Sequence, residues 1–165
     1  ISGVGAAIVN LREKFNAGRF AILDTDAHHG DGARAIHLGD KNVLHVCFCH
    51  YNHVEDGGTK VDVEVGWRES DADYLKKIKE NFIPRVREFK PDMIIHHFGH
   101  DTAEGDYGDL GLSKDFYIQL AKLIKGCADE VCQGKYLVMT GGGARRDIAE
   151  YIYPRILHIL AGEES

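Results

Sequence analysis

Apolar positions recur along this chain in two rhythms, and the alternation between them predicts the fold class. Between Gly5 and Phe15 the apolar residues fall at helical spacing, and Gly18 stands where a helix stop is expected. Phe20-Ala21-Ile22-Leu23 is a short apolar run that ends in a polar loop, the pattern of a buried strand. A short helix is predicted around 33–38, a second buried strand over 43–48, and a third, strictly alternating, over 61–65. Ser70 is placed to cap a helix over 71–89, which Pro84 kinks or divides. Residues 93–98 read as a strand leading into a glycine- and acid-rich loop that runs to Gly111. Ser113 caps a helix through Val131 that Gly134 stops. Residues 136–140 form the last strand, 141–143 a loop and 147–160 the last helix. Strands alternating with helices predict an α/β fold, an open and largely parallel sheet with helices on both faces, in a single domain over 1–165. Ligands of such sheets bind beyond the carboxyl ends of the strands, so the informative loops follow Leu23, Phe48, Phe98 and Thr140.

Composition narrows the partners. At 44% hydrophobic and 28% charged, the 165 residues have the balance of an ordinary globular domain, and no apolar run is long enough to cross a bilayer. A formal charge of −6 argues against a broad attraction to nucleic acid and is compatible with a basic ligand. The four cysteines, Cys47, Cys49, Cys127 and Cys132, do not suggest a disulfide scaffold, and a reducing cytoplasm is the expected compartment. The sequence opens at Ile1, without methionine, directly in a helix pattern, so a longer parent chain is expected.

Three of the four loops carry unusual chemistry. In Asp24-Thr25-Asp26-Ala27-His28-His29-Gly30-Asp31-Gly32, an extended backbone turns positions 24, 26 and 28 to one side. Two carboxylates and an imidazole at a strand end repel or protonate unless a cation sits among them. The second loop is Gly99-His100-Asp101-Thr102-Ala103-Glu104-Gly105-Asp106, where Asp101 lies just past a buried strand and can add a third ligand. Oxygen and nitrogen donors without thiolate suit zinc, with iron or manganese as alternatives. Gly141-Gly142-Gly143 lets backbone approach a ligand closely. Taken singly, an acid-rich strand end is a turn and a glycine run is a loop. Their joint occurrence at successive strand ends points to a metal centre.

With these residues in view, the chain resembles the histone deacetylase superfamily, which includes acetoin-utilisation proteins and acetylpolyamine amidohydrolases. The resemblance is carried by the stretch 22–32, by Pro91-Asp92-Met93-Ile94-Ile95 leading into the Asp101 loop, and by the 141–143 glycine loop, and it spans nearly the whole chain. It implies an arginase/deacetylase-like fold, incomplete at its N-terminal side, and a zinc held by Asp26, His28 and Asp101. It further implies a structural potassium wrapped by Asp24 and the carbonyls of Asp26, His28 and Phe48. The family places a serine hydroxyl there, where this chain has Cys47, a poor ligand for a hard cation. The chemistry implied is hydrolysis of an acetylated amine or acetyl-lysine, with zinc as Lewis acid, a tandem histidine pair moving protons and a tyrosine stabilising the oxyanion.

Two parts of that apparatus depart from the family. The tandem histidines belong to a segment upstream of the region matched here, and Ala144 follows the glycine run where a tyrosine is usual. The chain is therefore expected to be a deacetylase or its metal-bearing part, or alternatively a non-catalytic metal-binding or assembly module. A missing N-terminal segment or a homo-oligomer would complete it. An aspartyl-nucleophile phosphatase built on Asp24-Thr25-Asp26 fits the following His-Gly-Asp-Gly poorly. On a strand, His96 and His97 point to opposite faces. These two, with His50, His53 and His100, read as packed or surface residues; Cys47 and Cys49 as core residues sharing one strand face, with a second metal site the less favoured alternative; Trp67, Tyr151 and Tyr153 as packing.

Overall fold

The computed structural model describes residues 2–163. In chain order the elements are α1 (Gly3–Phe15), β1 (Phe20–Asp24), α2 (Asp31–His37), β2 (Val43–Cys49), β3 (His53–Glu55), β4 (Lys60–Glu64), α3 (Asp71–Asn81), α4 (Ile83–Phe89), β5 (Met93–Phe98), α5 (Lys114–Cys132), β6 (Tyr136–Thr140) and α6 (Arg146–Ala161). A 3-10 turn over Asp56–Gly58 joins β3 to β4. The six strands form one sheet in the order β3-β4-β2-β1-β5-β6, parallel throughout except for β3 at one edge. This is the open, mostly parallel α/β architecture with helices on both faces expected from the alternation of patterns. β1 lies at the centre with β2 and β5 beside it, so the loops after β1 and β5 leave the sheet from adjacent strand ends.

Each central strand is buried on both faces, which is why its residues are apolar without alternation. Ala21, Leu23, Ile94 and Phe98 face the larger core, made with residues of α3, α4, α5 and α6. Phe20, Ile22, Val43 and Ile95 face a smaller one closed by Val4 and Ile8 of α1. Beyond that small core the same face turns polar. Arg34 of α2, His45 of β2, and Lys60 and Asp62 of β4 are all buried. Lys60 is satisfied there by the carbonyls of Asp40 and Val43, the Thr59 hydroxyl and the Asp56 carboxylate.

The helix starts follow the capping residues read from the sequence. Ser70 accepts the Asp73 N–H, and Ser113 accepts those of Asp115 and Phe116. The expected break in 71–89 falls at Phe82, with Pro84 in the first turn of α4, where a missing N–H costs nothing. Four details differ from expectation. α1 starts at Gly3 because Ser2 caps it, and it stops at Asn16 (φ 53°) rather than Gly18. α2 starts two residues earlier than predicted. β3 was not anticipated, being three exposed or half-exposed residues on an edge. Trp67 is not packed: it is 74% exposed, its indole stacked on His50 at 4.4 Å.

Candidate metal centre

The backbone leaves β1 at Asp24 and turns sharply, with the Asp24 Oδ1 accepting the Asp26 N–H at 3.2 Å. Asp26 in turn accepts the His28 N–H through Oδ1 at 3.0 Å. These local hydrogen bonds, available to aspartate two residues before an N–H, hold the loop in the form that points both side chains at the β5 loop. There, Asp101 is fully buried and accepts the Ala27 N–H through Oδ1 at 3.2 Å. The three residues converge. His28 Nδ1 lies 3.1 Å from Asp26 Oδ1 and 3.2 Å from Asp101 Oδ2, and one donor atom from each falls within 4.8 Å of the others.

Buried Asp101 Oδ2 makes no hydrogen bond among the described residues, its 3.2 Å approach to His28 Nδ1 being an ion-pair contact only. A buried carboxylate oxygen left so is costly. Burial, and then the neighbouring Asp26 carboxylate, push the Asp101 pKa up to about 6. A divalent ion among these atoms removes both costs. The donor set, two oxygens and an imidazole nitrogen with His28 open to solvent, fits zinc with room for a further ligand.

The glycine loop lies directly on the carboxylates. The Gly142 N–H donates to Asp26 Oδ2 at 2.9 Å, and a Cβ on Gly142 would stand 2.5 Å from Asp101 Oδ2. Gly143 has φ +128°, and a Cβ there would meet the His100 ring at 2.3 Å. A Cβ on Gly141 would stand 2.7 Å from His97 Nε2. Two residues not singled out from the sequence hold this loop. Asp106 accepts the backbone N–H groups of Ala144 (2.9 Å), Arg145 (2.8 Å) and Tyr107 (2.7 Å). Burial opposes its ionisation, yet those N–H groups keep its carboxyl below the usual range. The Tyr107 hydroxyl accepts the Gly143 N–H at 2.9 Å, and its ring stacks on His28 at 5.8 Å. An aspartate-tyrosine pair in a loop carries no pattern that would have revealed either role.

The remaining sequence candidates take other positions. Asp24 sits below the centre, fully buried. Burial opposes its ionisation, but His45 and His97 hold its carboxyl well below the usual range. His97 Nδ1 is 3.1 Å from Asp24 Oδ2, and that contact holds the imidazole pKa above its ordinary value. Asp24 Oδ1 accepts from Asp26 and Oδ2 faces His97, while Cys47 presents sulfur where a hard cation such as the expected potassium prefers oxygen; the Asp24, Cys47 and Phe48 set remains an expectation. Cys47 turns instead toward His29, Cys49 and Asp62. His96 points to the opposite face from His97, bonded to Thr25 Oγ1 (2.8 Å) and the Tyr136 hydroxyl (2.7 Å). His100 Nδ1 meets the Tyr153 hydroxyl at 3.0 Å, so Tyr153 is more than packing. Ala144 offers the loop no side-chain donor.

This sheet order, with paired loops over adjacent central strands, is the arginase/deacetylase fold. The fold superposes on the solved histone deacetylase Clr3 with a TM-score of 0.84 at 24% identity, over 99% of this chain and 30% of that one. For the HD domain of HDA15 the TM-score is 0.78 at 26% identity, over 96% of this chain and 49% of that one. The chain belongs to the histone deacetylase domain family, which it matches over residues 1–160. It is 28% identical to histone deacetylase HDA1 of Candida albicans over 98% of its own length and 22% of that protein's. It is 30% identical to histone deacetylase clr3 of Schizosaccharomyces pombe over 78% of its own length and 21% of that protein's. The chain thus spans less than a quarter of the length of these two relatives.

Proposed function

We propose that this chain is the metal-bearing part of a zinc-dependent amidohydrolase that removes acetyl groups from acetyl-lysine, acetylpolyamines or similar acetylated amines. The observation that carries the proposal is the convergence of Asp26, His28 and Asp101 on one point, with a buried Asp101 oxygen that makes no hydrogen bond among the described residues. Membership of the histone deacetylase domain family supports the reaction class. Bound there, zinc supplies a Lewis acid for polarising an acyl carbonyl and acidifying water. The chain's own residues do the positioning. Asp26 is oriented by the Gly142 N–H and Asp101 by the Ala27 N–H, which leaves Asp26 Oδ1 and Asp101 Oδ2 beside His28 Nδ1, where the three would hold the ion. Because the Tyr107 hydroxyl already accepts from Gly143, its proton is free to be donated outward, beside His28. That phenol is the donor of this chain best placed to stand in for the one Ala144 lacks. His97 and His100 are engaged by Asp24 and Tyr153, so a histidine pair for proton transfer is expected from outside the described residues.

The test is acetate release from a panel of acetyl-lysine peptides and acetylpolyamines by zinc-loaded protein, alongside zinc stoichiometry. Release that disappears in Asp101→Asn together with the zinc equivalent held by the Asp26 centre supports the proposal. A zinc stoichiometry that Asp101→Asn leaves unchanged would end it. A second reading, a non-catalytic metal-binding module, is favoured by Ala144, and zinc binding without acetate release from the complete parent protein would select it.

A further inference from the structure

A second cluster of ligand-type side chains lies on the polar face of the sheet, beneath α2. Cys47 and Cys49 alternate along β2 and project from the same face, both buried. Asp62 of β4 is the residue in register with Cys47 on the neighbouring strand, so its carboxylate stands beside the thiols. His29, from the loop after β1, reaches down with Nε2 at 3.1 Å from Asp62 Oδ1. One donor atom from each of these four residues lies within 4.8 Å of all the others.

The surroundings are those of a metal site rather than of a hydrogen-bonded patch. The other ring nitrogen of His29, Nδ1, is 2.6 Å from Asp31 Oδ1. Asp31 accepts the Nδ1–H, so Nε2 is the nitrogen left to bind an ion, which would replace the proton it now directs at Asp62. Arg34 grips Asp62 with two bonds, Nη2 to Oδ1 at 2.7 Å and Nη1 to Oδ2 at 3.1 Å, orienting the carboxylate from its far side. The Tyr51 ring lies 5.2 Å from that of His29 and leans over it. Two thiols add little to a His29–Asp62–Arg34 hydrogen-bond chain, because sulfur is a weak donor and acceptor. They add a great deal to a soft cation. Two thiolates and Asp62 outweigh the single charge of Arg34, and a divalent ion offsets that surplus; Asp31 and Glu55 add negative charge at the rim, on His29 and Arg34.

We propose that His29, Cys47, Cys49 and Asp62 form a second, structural zinc site, distinct from the Asp26 centre. Four protein donors of S₂NO type around a buried point match a closed tetrahedral zinc site, with every position filled by protein and none left for substrate. The ion ties the loop after β1 to β2 and β4, and so fixes the far side of the loop that carries Asp26 and His28. The site rests on its own residues and stands whether or not the Asp26 centre hydrolyses anything.

The test is cobalt(II) substitution of the 165-residue chain, followed by absorption. Thiolate ligation gives a sulfur-to-cobalt charge-transfer band in the near ultraviolet, which the sulfur-free Asp26 centre cannot produce. The band is expected in the unaltered protein and in Asp26→Asn/Asp101→Asn, and it is expected to vanish in Cys47→Ser/Cys49→Ser while persisting in Cys127→Ser/Cys132→Ser. Absence of the band from cobalt-saturated unaltered protein, or its survival in Cys47→Ser/Cys49→Ser, overturns the proposal. If that variant does not fold, zinc-edge X-ray absorption of Asp26→Asn/Asp101→Asn decides the matter: sulfur neighbours at about 2.3 Å support the site, and only nitrogen and oxygen neighbours overturn it.

Discussion

Tyr107 and His96 show how much a single side chain determines here. Tyr107 has its hydroxyl held by the Gly143 N–H and its ring against His28. If it is the oxyanion donor, Tyr107→Phe lowers turnover by roughly 10²–10³ and leaves zinc content unchanged. Steady-state rates beside metal analysis check this, and an unchanged kcat would remove Tyr107 from the mechanism. His96 acts on stability instead. Burial pushes its pKa down to about 3, against about 6.5 in an unfolded chain. Between those values the unfolded chain binds the extra proton, so the contribution is complete above pH 6.5 and is lost as pH falls towards 3. Urea midpoints are expected to fall from pH 7 to pH 4, and His96→Gln to flatten that fall. An identical slope in the variant would assign the effect to other groups.

Among the elements, the glycine loop and α5 make opposite predictions for the same substitution. Gly142→Ala puts a methyl 2.5 Å from Asp101 Oδ2 and 2.7 Å from Asp26 Oδ2, so zinc affinity, measured by competition with a chelating dye, is expected to fall at least about tenfold. Gly126 sits in α5 with nothing within 4 Å of a new Cβ, and Gly126→Ala is expected to raise stability by about 0.5–1 kcal/mol. The central strands were readable because both of their faces are buried, which writes a continuous apolar run into the sequence. The capping serines were readable because a cap is local. β3 was not, since three residues on an edge need no apolar pattern. The loops of Asp26 and Asp101 could be named from their residues, and their meeting depends only on β1 and β5 being neighbours. The pairing of Cys47 with Asp62 was hidden, because it depends on the register of β2 against β4, which neither strand states. Asp106 and Tyr107 were hidden for the same reason, as their partners lie more than thirty residues away.

For the whole molecule, the sheet ends differently on its two sides. β3 closes one edge with an antiparallel strand of three residues, while β6 pairs with β5 alone and none of its residues is fully buried. An open parallel edge of this kind templates further pairing, so the 165-residue chain is expected to self-associate. Light scattering across a concentration series should show a rising mass, and Leu137→Lys should reduce it; a monomer at every concentration would discount the edge. The two faces also differ, one packed by four helices and the other by α1 over a small apolar patch that gives way to buried polar groups. Local opening should therefore begin by detaching α1. Amide deuteration would reach α1 early, while the hydrogens of β1 and β5, each bonded on both flanks, exchange only on global unfolding. Asp26 and Asp101 are rooted in the last part of the protein to come apart, so a partly frayed molecule would keep the geometry of the candidate metal centre.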